Sequence, residues 1–341
     1  MLGGKIIVKI SVIIPNFNGQ RFLKTCLDSL RKQSYQDFEV IVVDNGSTDG
    51  SIKYIAENYP EVRIIPLIKN FGFSRAVNEG IKVSRGKYIA LLNNDTEADP
   101  EWLKELYYAL ERNPELGFCA SRMINYYHRD TLDDAGDCFP RSCRPFKRGM
   151  GKKVSEGYNI TELVFGACAG AALYKKELFE TVGYFDEDFF AYLEDVDLSF
   201  RAQLLGFKCL YVPTAIVYHI GGGTSEAKDI GFNETKGILG NKKLREKTFL
   251  SARNRIYVII KNIPLVLILR YLPYIIGGPM ISFSYHLFKS GPIKQFLFGI
   301  LRGIADIPRF LSKRKLIQAH KKLSVREIDR LIKLCTKEES D

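Results

Sequence analysis

Residues 88–95, Tyr-Ile-Ala-Leu-Leu-Asn-Asn-Asp, run from apolar side chains into two carboxamides and one carboxylate, with Thr96 next. The apolar part reads as a buried strand, and its polar end falls where such a strand leaves the sheet. Open α/β sheets bind ligands in the crevice beyond the carboxyl ends of their strands. A single carboxylate there, Asp95, beside Asn93 and Asn94, suits a hard divalent cation that also takes phosphate oxygens. The competing reading is a polar turn, since Asn, Asp and Thr are common loop residues and Asp99-Pro100 starts a helix. Three more positions carry chemistry. Asp44-Asn45 closes the apolar run Phe38–Asp44, and His219 closes Ala215–His219. Glu194-Asp195-Val-Asp197 opens a helix, where acids also favour the dipole without any further role. A lone histidine such as His219 is otherwise a core or loop residue.

Alternating elements must position these groups. Lys9–Pro15 is a first strand, and Phe22, Leu23, Cys26, Leu27 and Leu30 recur at helical spacing up to Gln33. Phe38–Asp44 is a second strand, Ser51–Asn58 a helix, Val62–Pro66 a short strand and Arg75–Val83 a helix. Tyr88–Asp95 is the next strand, then a helix capped by Asp99 with Pro100 at its first position, and a strand over Gly117–Met123. Short connections between alternating strands and helices are the pattern of a parallel sheet covered on both faces. Asn125–Tyr158, polar, aromatic and rich in Gly, Pro and Arg, reads as a long surface excursion. Leu163–Tyr174 is small and apolar, Lys175–Val182 a helix, Glu194–Leu205 another, and Lys208–Val212 and Ala215–His219 two strands, before Gly221-Gly-Gly-Thr224. No Gly-x-Gly-x-x-Gly follows the first strand and no Walker lysine is present, so the two commonest phosphate loops are absent.

Charge divides the 341 residues unevenly. Residues 242–341 hold 21 Lys and Arg against 7 Asp and Glu, while the rest is slightly acidic. A near-neutral body with a basic tail implies two parts with different partners. A nucleic-acid protein would carry its charge on the folded domain, so nucleic acid is not expected. Seven widely spaced cysteines without Cys-x-x-Cys fit a reduced compartment, with several as small core hydrophobes. Cys138 and Cys143 are close enough to pair or bind metal, but read more simply as part of a loop. Met1–Lys9 has too short an apolar run for a signal peptide.

Taken in order, Val12-Ile-Ile-Pro-Asn-Phe-Asn18, Val42-Val-Asp-Asn-Gly-Ser-Thr-Asp-Gly50, Asn70-Phe-Gly-Phe73 with Asn78, and Leu91-Leu-Asn-Asn-Asp-Thr96 form one set. Gly183-Tyr-Phe-Asp-Glu187, Phe189-Phe-Ala-Tyr-Leu-Glu-Asp-Val-Asp197 and Tyr218-His219 continue it. The set resembles the inverting family 2 glycosyltransferases of GT-A fold, most closely their rhamnosyltransferase-like branch. The resemblance implies an α/β nucleotide-diphospho-sugar transferase fold: a Rossmann-like mixed sheet with helices on both faces, followed by amphipathic and apolar helices. It implies a catalytic domain over 1–250, with a nucleotide-sugar half over about 1–124 and an acceptor half over about 160–250. A basic, membrane-associated tail then fills 251–341. Asp95 would bind Mg²⁺ or Mn²⁺, with His219 as a further ligand. Pro15, Phe17, Asn18, Asp44, Asn45, Asn70, Arg75, Asn78, Asn93 and Asn94 would lie along the nucleotide sugar. Asn45 and Asn93 stand where the family pattern has acids, which leaves fewer charged ligands. Asp195 would be the base that deprotonates the acceptor hydroxyl, Glu194 the runner-up, and Asp197 structural. Gly170 and its small neighbours either admit an acceptor close to backbone or simply pack.

The expected acceptor is a lipid-linked sugar or growing glycan, and the expected place is the cytoplasmic membrane face. Arg270, Pro273 and Gly277-Gly-Pro279 interrupt the apolar stretch Ile256–Phe288, so interfacial or re-entrant helices fit better than a clean span. The amphipathic Ile293–Leu311 with Lys313-Arg-Lys315 fits anionic lipid. A helical cap or homodimer surface is the competing use of this tail. Two other functions share parts of the pattern. A nucleotidyltransferase would use the sheet and Asp95 but not Glu194-Asp195. A non-catalytic binding protein would not need Asp95, Asp195 and His219 together.

Overall fold

The apolar runs become the centre of a sheet because both of its faces are covered. The computed structural model describes residues 8–221, 238–288 and 292–338. Residues 1–7, from the stretch read for a leader, and Gly222–Thr224 of the glycine run lie outside the described residues. Backbone proximity divides the chain into two units. Residues 1–137, 147–190 and 207–220 form the first, and 138–146, 191–206 and 221–341 the second.

Twelve strands occur in chain order among the described residues: β1 (Ile10–Asn16), β2 (Phe38–Asp44), β3 (Arg63–Pro66), β4 (Tyr88–Leu92), β5 (Thr96–Ala98), β6 (Leu116–Asn125), β7 (Leu132–Asp134), β8 (Asp137–Cys138), β9 (Phe146–Lys147), β10 (Glu162–Val164), β11 (Ala171–Lys175) and β12 (Lys208–His219). The helices of the first unit are α1 (Gln20–Arg31), α2 (Ser51–Asn58), α3 (Phe73–Val83), α4 (Trp102–Arg112) and α5 (Lys176–Val182). The sheet order is β10-β12-β6-β11-β4-β1-β2-β3, with β5 paired to β12 and β7 to β6. β1 to β4 are mutually parallel, whereas β11 runs antiparallel to both β4 and β6. The sheet is therefore mixed, as the family resemblance implies. Ile10, Val12, Ile14, Ala90 and Leu92 point to one face, against Leu23 and Leu27 of α1 and Trp102 and Leu106 of α4. The helical spacing in α1 is thus the spacing of its buried stripe. α3 covers the other face, and Gly80 lets it approach: a Cβ there would press on Ile13 and lie 3.1 Å from Val43.

Four sequence expectations change. The strand expected over Tyr88–Asp95 stops at Leu92, and the chain re-enters the sheet at once as β5. The helix expected from Pro100 starts at Trp102; Asp99 accepts from the Glu101 N–H (3.0 Å) in a turn ahead of it. The two strands expected over 208–219 are one, β12, whose register against β6 shifts between Val212 and Ile216. The bend absorbs Pro213, which cannot donate to the ladder. Finally, Asn125–Tyr158 is not a surface excursion. It carries β7, β8 and β9 and buries Leu132, Ala135, Cys138, Phe139, Cys143 and Arg148. Its polar composition concealed this because its buried charges are paired: Arg148 bonds to Glu162 (2.6 Å) and to the Ala135 carbonyl (2.8 Å).

The second unit contains α6 (Glu194–Leu204), α7 (Ile238–Asn262), α8 (Leu265–Phe288), α9 (Ile293–Ala305), α10 (Ile307–His320) and α11 (Val325–Glu338). Residue 250, where the sequence suggests a boundary, lies inside α7. α6 is buried along almost its whole length. Its Asp197 is fully enclosed, and accepts from Arg201 (2.9 Å), Lys261 (2.9 Å) and Asn262 (2.8 Å). The structural role expected for Asp197 follows from these bonds. Gly299 and Gly303 bring α9 against α7; a Cβ at Gly303 would lie 3.1 Å from Ile256. The amphipathic stretch 293–311 is two helices that meet at Asp306, which accepts from Arg302 (3.0 Å) and from Tyr257. Among the described residues no helix is long and apolar enough to cross a membrane.

Candidate functional site

β5 decides the geometry around Asp95 and His219, the residues expected to hold a metal. It pairs antiparallel with β12, Thr96 opposite His219 and Ala98 opposite Val217. The residue before Thr96 is Asp95, whose carbonyl accepts from the Ile220 N–H (2.9 Å). Asp95 Oδ1 therefore comes to 3.5 Å from His219 Nε2. The other ring nitrogen, Nδ1, is 2.9 Å from Asp133 Oδ2, which also accepts from Lys147 Nζ (2.8 Å). Asp133 and Lys147 were missed in the sequence because they belong to the segment read as a surface excursion. Burial alone would lower the His219 pKa; the hydrogen bonds to Asp133 and Asp95 raise it to about 9. Burial would raise Asp133, but His219 and Lys147 hold its carboxyl well below the usual carboxylate range.

The donor set fits a divalent cation that shares its ligands with phosphate. With Nδ1 committed to Asp133, Nε2 faces the Asp95 carboxylate, the carboxylate–histidine arrangement that fixes a metal-ligating ring. Among the described residues no three His, Cys, Asp or Glu side chains form a cage for a metal. Two protein ligands with the remainder from phosphate oxygens and water is the usual arrangement for Mg²⁺. Asn93 adds no charge. Its N–H donates to the Gly170 carbonyl (2.8 Å), its own carbonyl accepts from Thr96 (2.6 Å), and a Cβ on Gly170 would lie 3.0 Å from its amide. Gly170 thus packs against Asn93.

At the ends of β1 and β2 the polar residues bond mainly to each other. Asp44 is enclosed, accepting from Asn16 (2.9 Å) and from the Ser47 N–H (2.9 Å). Asn16 accepts in turn from Asn94 (2.6 Å). Asn45 donates to Asn70 Oδ1 (3.0 Å) and to the Gly72 carbonyl (3.0 Å), and accepts from the Phe71 N–H (2.9 Å). Asn18 bonds the Thr48 N–H (2.8 Å), and Pro15 pairs with Val43 in the ladder. Phe17 differs: its ring is 47% exposed at the mouth of the strand ends, an apolar face on which a planar base can stack. Arg75 is half-exposed and pairs with Glu79 (3.1 Å) and Glu187 (3.2 Å). Asn78 is buried, and its amide is used by Phe185, donating to the carbonyl (2.9 Å) and accepting from the N–H (3.0 Å). It braces the 183–190 loop, so a nucleotide contact through this amide would have to replace those bonds.

In the second unit, Glu194 and Asp195 open α6 in different surroundings. Glu194 is buried, and its Oε2 has no hydrogen-bond partner among the described residues. Burial first, then the charge of Asp195, push its carboxyl well above the usual carboxylate range. Asp195 is half-buried and accepts from the Val196 N–H (2.8 Å).

The profile described as Glycosyl transferase family 2 matches residues 11–183, and the chain belongs to that family. Its fold is that of the GT-A glycosyltransferases. Similarity to particular proteins is partial. The chain is 42% identical over 115 residues to the uncharacterized glycosyltransferase YibD of Escherichia coli K12, a match covering 33% of each protein. It is 28% identical over 234 residues to the N-acetylglucosaminyl-diphospho-decaprenol L-rhamnosyltransferase of Mycobacterium tuberculosis H37Rv, covering 61% of this chain and 75% of that one. The structure of GalNAc-T7 with UDP, GalNAc and Mn²⁺ superposes with a TM-score of 0.59 at 16% identity, over 90% of this chain and 58% of that one.

Gly19 allows the Asn16–Asn94 bond, because a Cβ there would overlap Asn94 Nδ2 and lie 2.6 Å from Asn16 Oδ1. Gly19→Ala is expected to cost about 1–3 kcal/mol in a urea titration. Asn94→Ala in the same chain removes the closer of the two overlaps and leaves Asn16 free of its bond to Asn94, so the double variant should be less destabilised than the sum of the singles. Additive effects would mean that the two positions are not coupled.

Proposed function

We propose that this protein is an inverting, metal-assisted glycosyltransferase that moves a sugar from a nucleoside-diphosphate donor to a hydroxyl of a lipid-linked or glycan acceptor. The observation that carries the reading is the facing pair Asp95 and His219, with the far side of the imidazole held by Asp133. The Mn²⁺ and UDP of the GalNAc-T7 structure and the rhamnosyl transfer named for the M. tuberculosis relative support it. A divalent ion bound there supplies Lewis acidity to the diphosphate leaving group. Asp95 and His219 hold it, Asp133 fixes the ring, and Phe17 offers a stacking face to the base. Asp195 takes the proton as the acceptor oxygen forms its bond to the anomeric carbon and the bond from that carbon to the diphosphate oxygen breaks. Burial disfavours the charged form of Glu194, which makes it the poorer acceptor. A single displacement of this kind inverts the anomeric centre.

Asp95→Ala should abolish sugar transfer, and a chelator should inactivate the native protein reversibly, with activity returning on Mn²⁺ or Mg²⁺. Full activity in chelator excludes the metal role, and pyrophosphate release from a nucleoside triphosphate would instead mark a nucleotidyltransferase.

Asp195→Asn keeps the shape of the side chain but removes the proton acceptor. Calorimetry should find donor binding unchanged while turnover falls by roughly 10²-fold or more. A variant as active as the native protein would remove Asp195 from the mechanism.

The acceptor is reached at a membrane surface. α8 exposes Leu265, Val266 and Leu269, α9 exposes Phe298, Leu301 and Ile304, and the same unit carries the chain's excess of positive charge. Exposed apolar helix faces with basic residues bind anionic bilayers from the side. The full chain should float with phosphatidylglycerol vesicles at low salt, and Phe298→Glu with Leu301→Glu should leave it at the bottom of the gradient. Failure of the native chain to float, together with a concentration-dependent doubling of mass, would assign these faces to a second copy.

A further inference from the structure

The turn that leads into α6 is built from residues that resist its shape. Tyr192 and Leu193 have φ of +69° and +65°, the left-handed region that side chains with a Cβ rarely adopt. Neither is Gly or Asn, and two neighbouring strained residues persist only where the surroundings impose them. Asn254 of α7 supplies that constraint. Its side chain is fully buried, and its Nδ2 donates to the carbonyls of both Ala191 (2.9 Å) and Tyr192 (2.7 Å). Its Oδ1 accepts from Arg253 Nε (2.9 Å), which fixes which end of the amide faces the turn.

The residues that follow this turn are Glu194 and Asp195. The carbonyl of Leu193 accepts the Asp197 N–H (3.0 Å), so the first hydrogen bond of α6 springs from a strained residue. The direction in which Asp195 leaves the helix therefore depends on φ at 192 and 193. A carboxamide is suited to the task because one nitrogen carries two donors. A carboxylate of the same shape would set its lone pairs against the two carbonyls. Strained backbone held from outside in this way concentrates where a side chain must be aimed.

We propose that Asn254 is the positioning residue for the proton acceptor: it holds the left-handed turn 191–193 so that Asp195 is presented in one orientation. The inference rests on the reading of Asp195 as the base. Asn254 itself touches neither substrate nor the reacting atoms.

Three variants of the full chain test it: Asn254→Ala, Leu193→Gly and the pair together. Glycine adopts positive φ without the penalty of a Cβ and so supplies from within what Asn254 imposes from outside. Asn254→Ala should lower kcat by about 10–100-fold, with KM for the nucleotide sugar within about threefold, as for a misaimed catalytic group. Leu193→Gly should retain most of the activity, and adding it to Asn254→Ala should recover about tenfold or more of the lost kcat. If Asn254→Ala alone does not yield folded protein, Leu193→Gly in the same chain is expected to restore folding. Unchanged kcat in Asn254→Ala overturns the proposal, and so does a double variant no better than Asn254→Ala in kcat or in folding, since plain packing would gain nothing from glycine at 193. An inactive Asp195→Asn beside a fully active Asn254→Ala would remove this inference alone; a fully active Asp195→Asn would remove the base assignment beneath it.

Discussion

Three residue pairs join β5 to β12, and they set the Asp95 carboxylate beside the His219 imidazole. β5 is only three residues long, and it exists because β4 breaks at Asn93 and the chain re-enters the sheet one turn later. The break is held from several sides. Gly170 accepts the Asn93 N–H, Thr96 and Cys26 bond the Asn93 carbonyl, and Ser29 accepts the Ala98 N–H. A one-residue slip in this ladder would turn His219 to the opposite face, away from Asp95. The juxtaposition of Asp95 and His219 thus depends on the register of this ladder. The segment between β6 and β10 adds Asp133 and Lys147, which fix the ring from behind.

The carboxamides at the strand ends explain a departure from the family's acidic pattern. Asn45 donates twice from one nitrogen, to Asn70 Oδ1 and to the Gly72 carbonyl, and no carboxylate could do so. It therefore fixes the 70–72 loop, where Gly72 has φ of +90° and a Cβ would lie 2.5 Å from the Phe190 carbonyl. Asn16, Asp44 and Asn94 form a second chain of bonds across three strand ends. Amides suit such a place because they can donate and accept at once while adding no charge.

In the second unit the three acids of α6 are separated by burial and by the partners their oxygens meet. Asp197 is enclosed but fully bonded to Lys261, Arg201 and Asn262, which makes it an anchor between α6 and α7. Removing one partner of such a network typically costs about 3–5 kcal/mol, because a buried charge is left uncompensated. Glu194 is enclosed, with no partner on one oxygen among the described residues, and burial pushes its carboxyl well above the usual range. Asp195 alone of the three is half-buried. Carboxylates on one helix therefore differ according to what their oxygens meet.

The sequence by itself determined the alternation of strands and helices, the strand ends at Asp44 and His219, and the helix start at Glu194. These are local matters: period 2 or 3.6, apolar runs, and acids at a helix start can all be read within a few residues. The bounds of β2 and α2 came from that reading, and so did the basic character of residues 242–341. What only the tertiary structure decided is which distant groups meet. β5 is too short to carry a period, so its pairing with β12 could not be read. Asp133 and Lys147 lie in a stretch whose polar composition imitates a surface loop, and their burial follows from mutual neutralisation, which composition does not record. The left-handed turn before α6 was equally hidden, since Tyr192 and Leu193 carry no sign of positive φ. They hold it because Asn254, on a helix that follows much later in the chain, donates to the carbonyls of Ala191 and Tyr192, and such a constraint exists only once the chain has folded.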